Sequence, residues 1–456
     1  MKSETGINGR VYATVLVSSL GHVLVQSNTV LLNLAVYRIE ISFGADIAAL
    51  QWIVNGYMLS FAALLLPGGA LADRSGARTT FLRGLGVFGL GSLGMAVGST
   101  VPGLIASQVL IGAGSALIVP CSLALLVRVC EDNSARRARS IAVWTAAGGS
   151  AVAFSPVLGG SLMTVAAWRN AFLADGVLCA IVVCLAIRSI GADPKRAPAS
   201  FDMVGQALVA LTLLGLIGGM IEGGRRGLIE PLVVGCFLVG LGAGAAAVGR
   251  HTRIAVLPPV IFRQPGFTAA IAVSCVTNVT YYGVVFVLGL YFQQLHGYSP
   301  AQAGLAFLPF NASFVLSSIA GGWLAAMYGP RVPLVLGSLA ATIGYVLLYH
   351  STTATGDSAV LTSFLLVPIG GAGLIAPAAT DILLGSVPPE RAGTAAAFLN
   401  TLRQGAGASG IAIFGLVAGG GPDQFLRGLA ASFLASAVLF AAAALASELL
   451  LGRDIK

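Results

Sequence analysis

Long apolar runs recur along almost the whole chain, broken only by short polar stretches. Hydrocarbon offers nothing to a backbone N–H or C=O, so a run that crosses a bilayer must satisfy those groups within itself. A helical span needs about 20 mostly apolar residues. Fourteen runs meet that requirement, at roughly 12–37, 49–72, 80–98, 103–129, 139–164, 168–190, 203–222, 229–249, 267–293, 301–327, 332–350, 360–384, 394–418 and 427–450. Only 9% of the 456 residues are charged, against about 25% in ordinary soluble domains. The expected fold class is an all-α membrane protein with 14 transmembrane helices. The first run begins near Tyr12 and reads as a true span, with no cleavable signal pattern before it.

The net charge of +8 does not point to nucleic acid, because the excess sits in short loops. One set of loops holds Arg74, Arg78, Arg128, Arg136, Arg137, Arg139, Lys195, Arg196, Arg250, Arg253, Arg263, Arg331 and Arg391, with both termini on the same side. The other holds Arg38, Arg169, Arg225, Arg226 and Arg427. By the positive-inside rule the first set, and both termini, are cytoplasmic. Only three of the 25 basic residues are Lys. That bias, with the abundance of Ala and Gly, points to a GC-rich bacterial genome and a bacterial cytoplasmic membrane. The six cysteines lie in or beside apolar runs without metal-type spacing, and read as small packing residues.

The chain also repeats itself. GALADRSGAR (69–78) follows the second run and GWLAAMYGPR (322–331) follows the tenth; both read G-x-L-A-x-x-x-G-x-R. A weaker echo pairs GSALIVP (114–120) with GAGLIAP (371–377). The first and last six runs therefore read as related six-helix bundles in the same orientation, a parallel repeat about an axis along the membrane normal. The expected organisation is an N-terminal bundle over 1–190, two linker helices with their connections over 191–266, and a C-terminal bundle over 267–456. In the repeated turn, Gly69 allows close helix packing and Gly76 a backbone that would strain other residues. Asp73, Arg74 and Arg78 can bind helix ends or one another. Gly329 and Arg331 hold the matching positions in the second copy. Such a charged clasp can be made and broken as two bundles rock.

These motifs resemble the major facilitator superfamily, and within it the fourteen-span drug:proton antiporter family that includes bacterial antibiotic-resistance exporters. GALADRSGAR is similar to the superfamily's loop between spans 2 and 3. LQWIVNGYMLSFAALLLPGG (50–69), SQVLIGAGSALIVP (107–120), GGSAVAFSPVLGG (148–160) with WRNAF (168–172), GYSPAQAGLAFLP (297–309) and RAGTAAAFLNTLRQGAGASGIAIFG (391–415) follow in the family's order. The resemblance covers nearly the whole chain. It implies two bundles around a central cavity that opens alternately to each side. It also implies export of amphipathic or cationic organic compounds against inward proton flow, by a monomer in the lipid bilayer. The proton would be the coupling ion, with no cofactor and no metal. No Walker-type phosphate loop, metal-ligand cluster or nucleophile motif is present in the sequence, so neither an ATP-driven pump nor an enzyme is expected.

In the fifth run Gly148, Gly149, Gly159 and Gly160 make a thin face against which another helix can press, and Pro156 bends or loosens that helix. Ser155 stands where the family usually has Gly. Two further departures concern charge. Aligned through Asn33, Asn28 occupies the position of the family's first-span Asp, and Gln108 that of its fourth-span Arg. A neutral amide carries no proton, so other groups become the proton-coupling candidates: His22 in the first run and Asp175 in the sixth. A hydrogen-bonded interior role for His22, and pairing of Asp175 with Arg169, are the alternatives. Asp381 reads as a cytoplasmic cap or gate residue, and Glu222 as a partner of Arg225 or Arg226.

At 100° per residue His22, Gln26, Thr29 and Asn33 fall within about 60° of one another. They form a polar stripe expected to line the translocation path, with Asn28 off it on a flank shared with Gly21 and Ala35. Gln51, Asn55, Tyr57, Gln108, Trp144, Asn278, Tyr281, Tyr282 and Asn311 are further cavity candidates, since a site for organic compounds combines aromatic surface with a few polar groups. Arg403, in RQGAG, is a strong intramembrane charge; it would bind helix ends or line the cavity, where it would favour anions. The expected function is efflux of a small organic compound. An uncoupled or differently coupled facilitator, and a transport-inactive membrane sensor, are the alternatives.

Overall fold

The computed structural model describes residues 2–129, 134–165, 167–192, 203–249, 264–353, 370–386, 392–417 and 422–450. Every regular element among them is helical. The α-helices are α1 Lys2–Phe43, α2 Ile47–Ser75, α3 Ala77–Val97, α4 Val101–Val129, α5 Ser134–Val165, α6 Arg169–Ser189 and α7 Met203–Arg226. They continue with α8 Pro231–Gly249, α9 Pro265–Leu290, α10 Pro300–Tyr328, α11 Arg331–Thr353, α12 Ile375–Gly385, α13 Ala392–Val417 and α14 Pro422–Leu450.

Ten of these are long and apolar enough to cross a membrane, and α5 makes eleven if its two arms count as one span. The expected number was fourteen, and each shortfall has a local reason. The apolar part of α8, Pro231–Ala247, is short. The twelfth expected run, 360–384, lies partly outside the described residues, leaving only Gly371–Leu383 as a short apolar helix. Its start is a 3-10 turn, Gly371–Leu374, because Pro377 has no N–H to return to the carbonyl of Gly373. That carbonyl instead accepts from Ser318 Oγ at 3.1 Å. The middle of α13 is diluted by Asn400, Thr401, Arg403 and Gln404.

The chain forms two compact units: Met1–Ala45 with Trp52–Ala210, and Asp46–Gln51 with Leu211–Lys456. In the first, α3 packs on α4 and α6, and α1 packs on α4, α5 and α6. Apolar attraction between helices is weak in lipid, so close approach depends on small residues. A Cβ on Gly91 would sit 2.7 Å from Ser107 O of α4, and one on Gly114 would sit 2.6 Å from Phe88 N of α3. Helix α2 meets α4 the same way, with Gly68 against Ala116 O and Gly112 against Tyr57 O. A Cβ on Gly69 would meet nothing within 4 Å. The close packing expected of Gly69 therefore belongs to its neighbour, because one residue turns the side-chain position by about 100°.

In the second unit each of those packing pairs recurs with eight added to both helix numbers. Helix α11 packs on α12 and α14, and α9 packs on α12, α13 and α14. The repeated turns also share a backbone. Gly76 has φ 91° and ψ 146°, and Gly329 has φ 81° and ψ 161°, a region open essentially to glycine alone. Two residues beyond each glycine stands an arginine directed to the sixth helix of its own half. Arg78 Nη2 donates to Ile187 O, 3.2 Å away in the last turn of α6. Arg331 Nε donates to Glu448 Oε2 at 3.1 Å near the end of α14. Arg74 is exposed, and the side chain of Asp73 lies outside the described residues.

Other elements follow local chemistry. Helix α9 passes into a π turn, Tyr291–Leu295, and Gly297 reverses the chain at φ 63°. Ser299 then caps α10 through a reciprocal capping box with Gln302, with Pro300 in the first turn. Helix α5 bends by 43° between Val152 and Phe154. Pro156 accounts for the position of the bend, since its ring displaces the carbonyl four residues earlier, that of Val152.

Candidate functional site

In the first unit the polar residues of α1 find partners on three helices. The His22 ring stacks on Trp144 of α5, with centroids 3.9 Å apart and planes 20° from parallel. Trp144 is held in turn by Nε1 donating to Ser122 Oγ at 3.0 Å. The stack fits only because residue 148 is glycine; a Cβ there would run into the His22 ring. Further along the same contact Ser155 Oγ donates to Ser27 Oγ at 3.1 Å, and Gly159 accommodates Leu31. The thin face of α5 is thus turned to α1, and a serine at 155 adds a hydrogen bond that glycine lacks. Gly149 and Gly160 lie on the same helix, the former half-buried and the latter buried.

His22, Gln26 and Thr29 remain partly accessible, whereas Asn28 is fully buried. Asn33, 8% exposed, turns its Nδ2 back to Thr29 O at 2.7 Å. Tyr57 of α2 is buried and donates its hydroxyl toward Val25 O at 3.4 Å, with the Thr29 and Ser115 side chains in reach. Asn28 Nδ2 meets Gln108 Oε1 of α4 at 3.5 Å, the long limit of a hydrogen bond. The two positions that in the resembling family carry opposite charges are therefore direct neighbours occupied by two amides. Asn28 Oδ1, Gln108 Nε2, His22 Nδ1 and both amide atoms of the buried Asn55 have no hydrogen-bond partner.

Asp175 is the only buried acid or base among the described residues. It lies on α6 in the contact with α3, where the Cβ position of Gly176 approaches Leu93 and Ser92. Its Oδ2 has no hydrogen-bond partner. Arg169 is engaged elsewhere, donating from Nη2 to Gly98 O at 2.5 Å and stacking its guanidinium over Trp168, 4.5 Å from the ring centroid. Asp381 is exposed, and Glu222 pairs with both Arg225 and Arg226.

In the second unit Gln51 is buried and donates Nε2 to Ile411 O and Ala412 O of α13, each at 2.9 Å. It holds the N-terminal end of α2 to that helix. Tyr281 on α9 stacks on Phe310 of α10 at 5.2 Å and meets Tyr282 edge-on at 5.0 Å. Its hydroxyl donates to Asn311 Oδ1 at 3.5 Å. Asn278 Nδ2 bonds Ser274 O within its own helix at 2.8 Å. Arg403 on α13 donates Nη2 to Ala376 O at 3.0 Å and to Thr380 Oγ1 at 3.1 Å, both on α12. No group of three or more His, Cys, Asp or Glu placed to hold a metal ion occurs among the described residues.

The profile of the Major Facilitator Superfamily matches residues 18–411. The chain belongs to that superfamily. Its members are transporters and not enzymes. Among its relatives, the methylenomycin A resistance protein of Streptomyces coelicolor is 33% identical over 95% of this chain and 91% of its own. The cephamycin export protein of Amycolatopsis lactamdurans is 32% identical over 92% and 89%. The tetracenomycin C resistance and export protein of Streptomyces glaucescens is 29% identical over 91% and 77%. Among solved structures, a bacterial homologue of the lysosomal transporter Spinster, inward-facing and unoccupied, is 15% identical with a TM-score of 0.68, covering 97% of this chain and 98% of its own. A peptide transporter in complex with sulfate reaches a TM-score of 0.71, also at 15% identity, over 96% and 93%. These two similarities establish the superfamily fold. The protein is therefore a multi-span membrane transporter of the superfamily that contains antibiotic-resistance and export proteins.

Several supporting residues were not singled out from the sequence. Ser27, Ser122 and Thr380 hold Ser155, Trp144 and Arg403 in place. Serine and threonine in membrane helices commonly bond their own i−4 carbonyl, so their sequence pattern does not distinguish the few that reach another helix. Phe310 and Phe314, one turn apart on α10, complete the aromatic cluster; their flanking of Asn311 was the available signal.

Proposed function

We propose that the protein exports a small organic compound of the antibiotic type from a bacterial cytoplasm, by alternating access of its two halves. It acts as a monomer with both termini cytoplasmic, in a fourteen-span arrangement of two six-helix bundles and two linker helices. Inward proton movement drives it, without a cofactor. The observation that carries export is the similarity, across nearly the full length, to resistance and export proteins. Proton coupling rests on two protonatable groups with an unpartnered atom within the membrane helices, His22 Nδ1 and Asp175 Oδ2. His22 is the stronger candidate, because it is partly accessible and belongs to the polar stripe of α1. Its stack on Trp144 would let a change of protonation alter the contact between α1 and α5.

A second reading has its own observation. The Asn28–Gln108 amide pair replaces the charged pair of the resembling family, which favours a carrier with no proton coupling. Purified protein in liposomes distinguishes the two. With an acid exterior relative to the substrate side, candidate antibiotics and cationic dyes should move against their gradients, and His22→Gln or Asp175→Asn should abolish the dependence on the pH gradient. Movement indifferent to the gradient would establish the uncoupled carrier. Retained ligand binding with no movement of any compound would establish a sensor.

A further inference from the structure

Arg403 is a membrane-embedded charge for which the described protein offers no counter-charge. Elsewhere among the described residues arginines meet acids: Arg225 and Arg226 meet Glu222, and Arg331 meets Glu448. No described carboxylate lies within ion-pair distance of Arg403. Its guanidinium has five N–H donors, and both hydrogen bonds it makes leave from Nη2. Those bonds aim it. Thr380 Oγ1 donates to Ala376 O at 2.7 Å while accepting from Arg403, so α12 engages Nη2 and leaves the Nε–H and Nη1 donors uncommitted.

The surroundings of the fork are aromatic. Arg403 lies within electrostatic reach of Cys275 and Tyr282 on α9, and Asn278 falls between them on the same helix face. The Tyr282 ring lies over Gly407, one turn beyond Arg403, where a Cβ would sit 2.5 Å from the ring. The edge-on contact of Tyr282 with Tyr281 continues the wall to Phe310 and Phe314. The free Nε–H and Nη1 donors can make charge-assisted hydrogen bonds to a carboxylate or phenolate, and the rings match a conjugated body. An unpaired charge in a membrane helix is retained for function, and here the missing partner is negative.

We propose that Arg403, aimed by Thr380 and backed by the Tyr282 ring, binds the acid group of a transported organic anion. The inference rests on the export reading for the word transported, but the binding site is tested separately. The full-length protein in lipid nanodiscs is titrated with three probes of one shape: 2-naphthoate, 2-naphthamide and 2-naphthylmethylammonium. The wild type should prefer the carboxylate to the amide by about ten- to a hundredfold, the worth of a charge-assisted hydrogen-bond pair. Arg403→Gln should erase that preference while leaving amide affinity within a few-fold, and Arg403→Lys should keep part of it. Removing an exposed arginine elsewhere in the same unit, Arg427→Gln, should leave it intact. If Arg403→Gln is not recovered as a monodisperse protein, the lysine variant carries the test, and a carboxylate preference kept at full strength in it overturns the proposal. Equal binding of the three probes by the wild type, no binding of any, or a preference that survives in Arg403→Lys at full strength and in Arg403→Gln would overturn the proposal. Efflux from liposomes separates the two readings: Arg403-dependent naphthoate binding without movement sinks export and keeps the site, whereas naphthoate movement unaffected by Arg403→Gln sinks the site and keeps export.

Discussion

At the scale of single residues, the amide pair Asn28–Gln108 shows why the two charged positions of the resembling family change together. Both residues are fully buried. One unpaired charge in such a place costs about 3–5 kcal/mol when its partner is missing, while two opposite charges offset much of that cost. Asn28→Asp alone should therefore lower the thermal midpoint of the purified protein sharply, and Asn28→Asp with Gln108→Arg should recover most of the loss. An additive double variant would show that the two sites do not communicate. Gly148 carries a different constraint, because its missing side chain is the space that the His22–Trp144 stack occupies. Gly148→Ala overpacks the contact and should cost about 1–3 kcal/mol, with a change in Trp144 fluorescence as the stack is displaced. The polar stripe of α1 was legible because a helix repeats its faces at a known angle. Its partners were not, since nothing in a linear pattern says that Ser122 steadies Trp144 or that close packing uses Gly68 and not Gly69.

At the scale of elements, α5 is bent where Pro156 removes a hydrogen bond from Val152. The bend lies within the face that packs on α1 through Gly148, Ser155 and Gly159. Pro156→Ala restores a backbone donor and should raise the thermal midpoint of the protein. If the bend serves the working cycle, the same variant should export more slowly per molecule in liposomes; an unchanged rate would leave the proline with a packing role only. Proline and small residues announce such a helix in sequence. The angle, and the helix that receives the thin face, depend on tertiary contacts several spans away. The same limit explains the span count: apolar length identified most of the helices, but a helix sheltered by neighbours, such as α13 with Arg403 in its middle, need not be apolar enough to qualify alone.

At the scale of the whole molecule, the repeat is the organising fact. A ten-residue pattern recurring after 253 residues (331 against 78) is accompanied by recurring helix pairs and by two glycines in the same uncommon backbone region. Gly76→Ala and Gly329→Ala should each cost about 1–3 kcal/mol, the strain of holding a side chain in that region, and unfolding measurements on the two variants should agree. The repeat was readable because both copies kept the same residues. What each arginine grips was not, because the two halves have diverged at the receiving end.

That divergence makes the two turns respond differently to their medium. Arg78 reaches a main-chain carbonyl at the end of α6, an uncharged acceptor. Arg331 reaches a carboxylate on α14 that is 53% exposed. Mobile ions screen attraction between exposed charges, and have less hold on a bond to a peptide dipole. Raising the salt concentration should therefore loosen the Arg331–Glu448 pair more than the Arg78–Ile187 hydrogen bond, so that ionic strength acts on these two contacts of a repeated turn unequally.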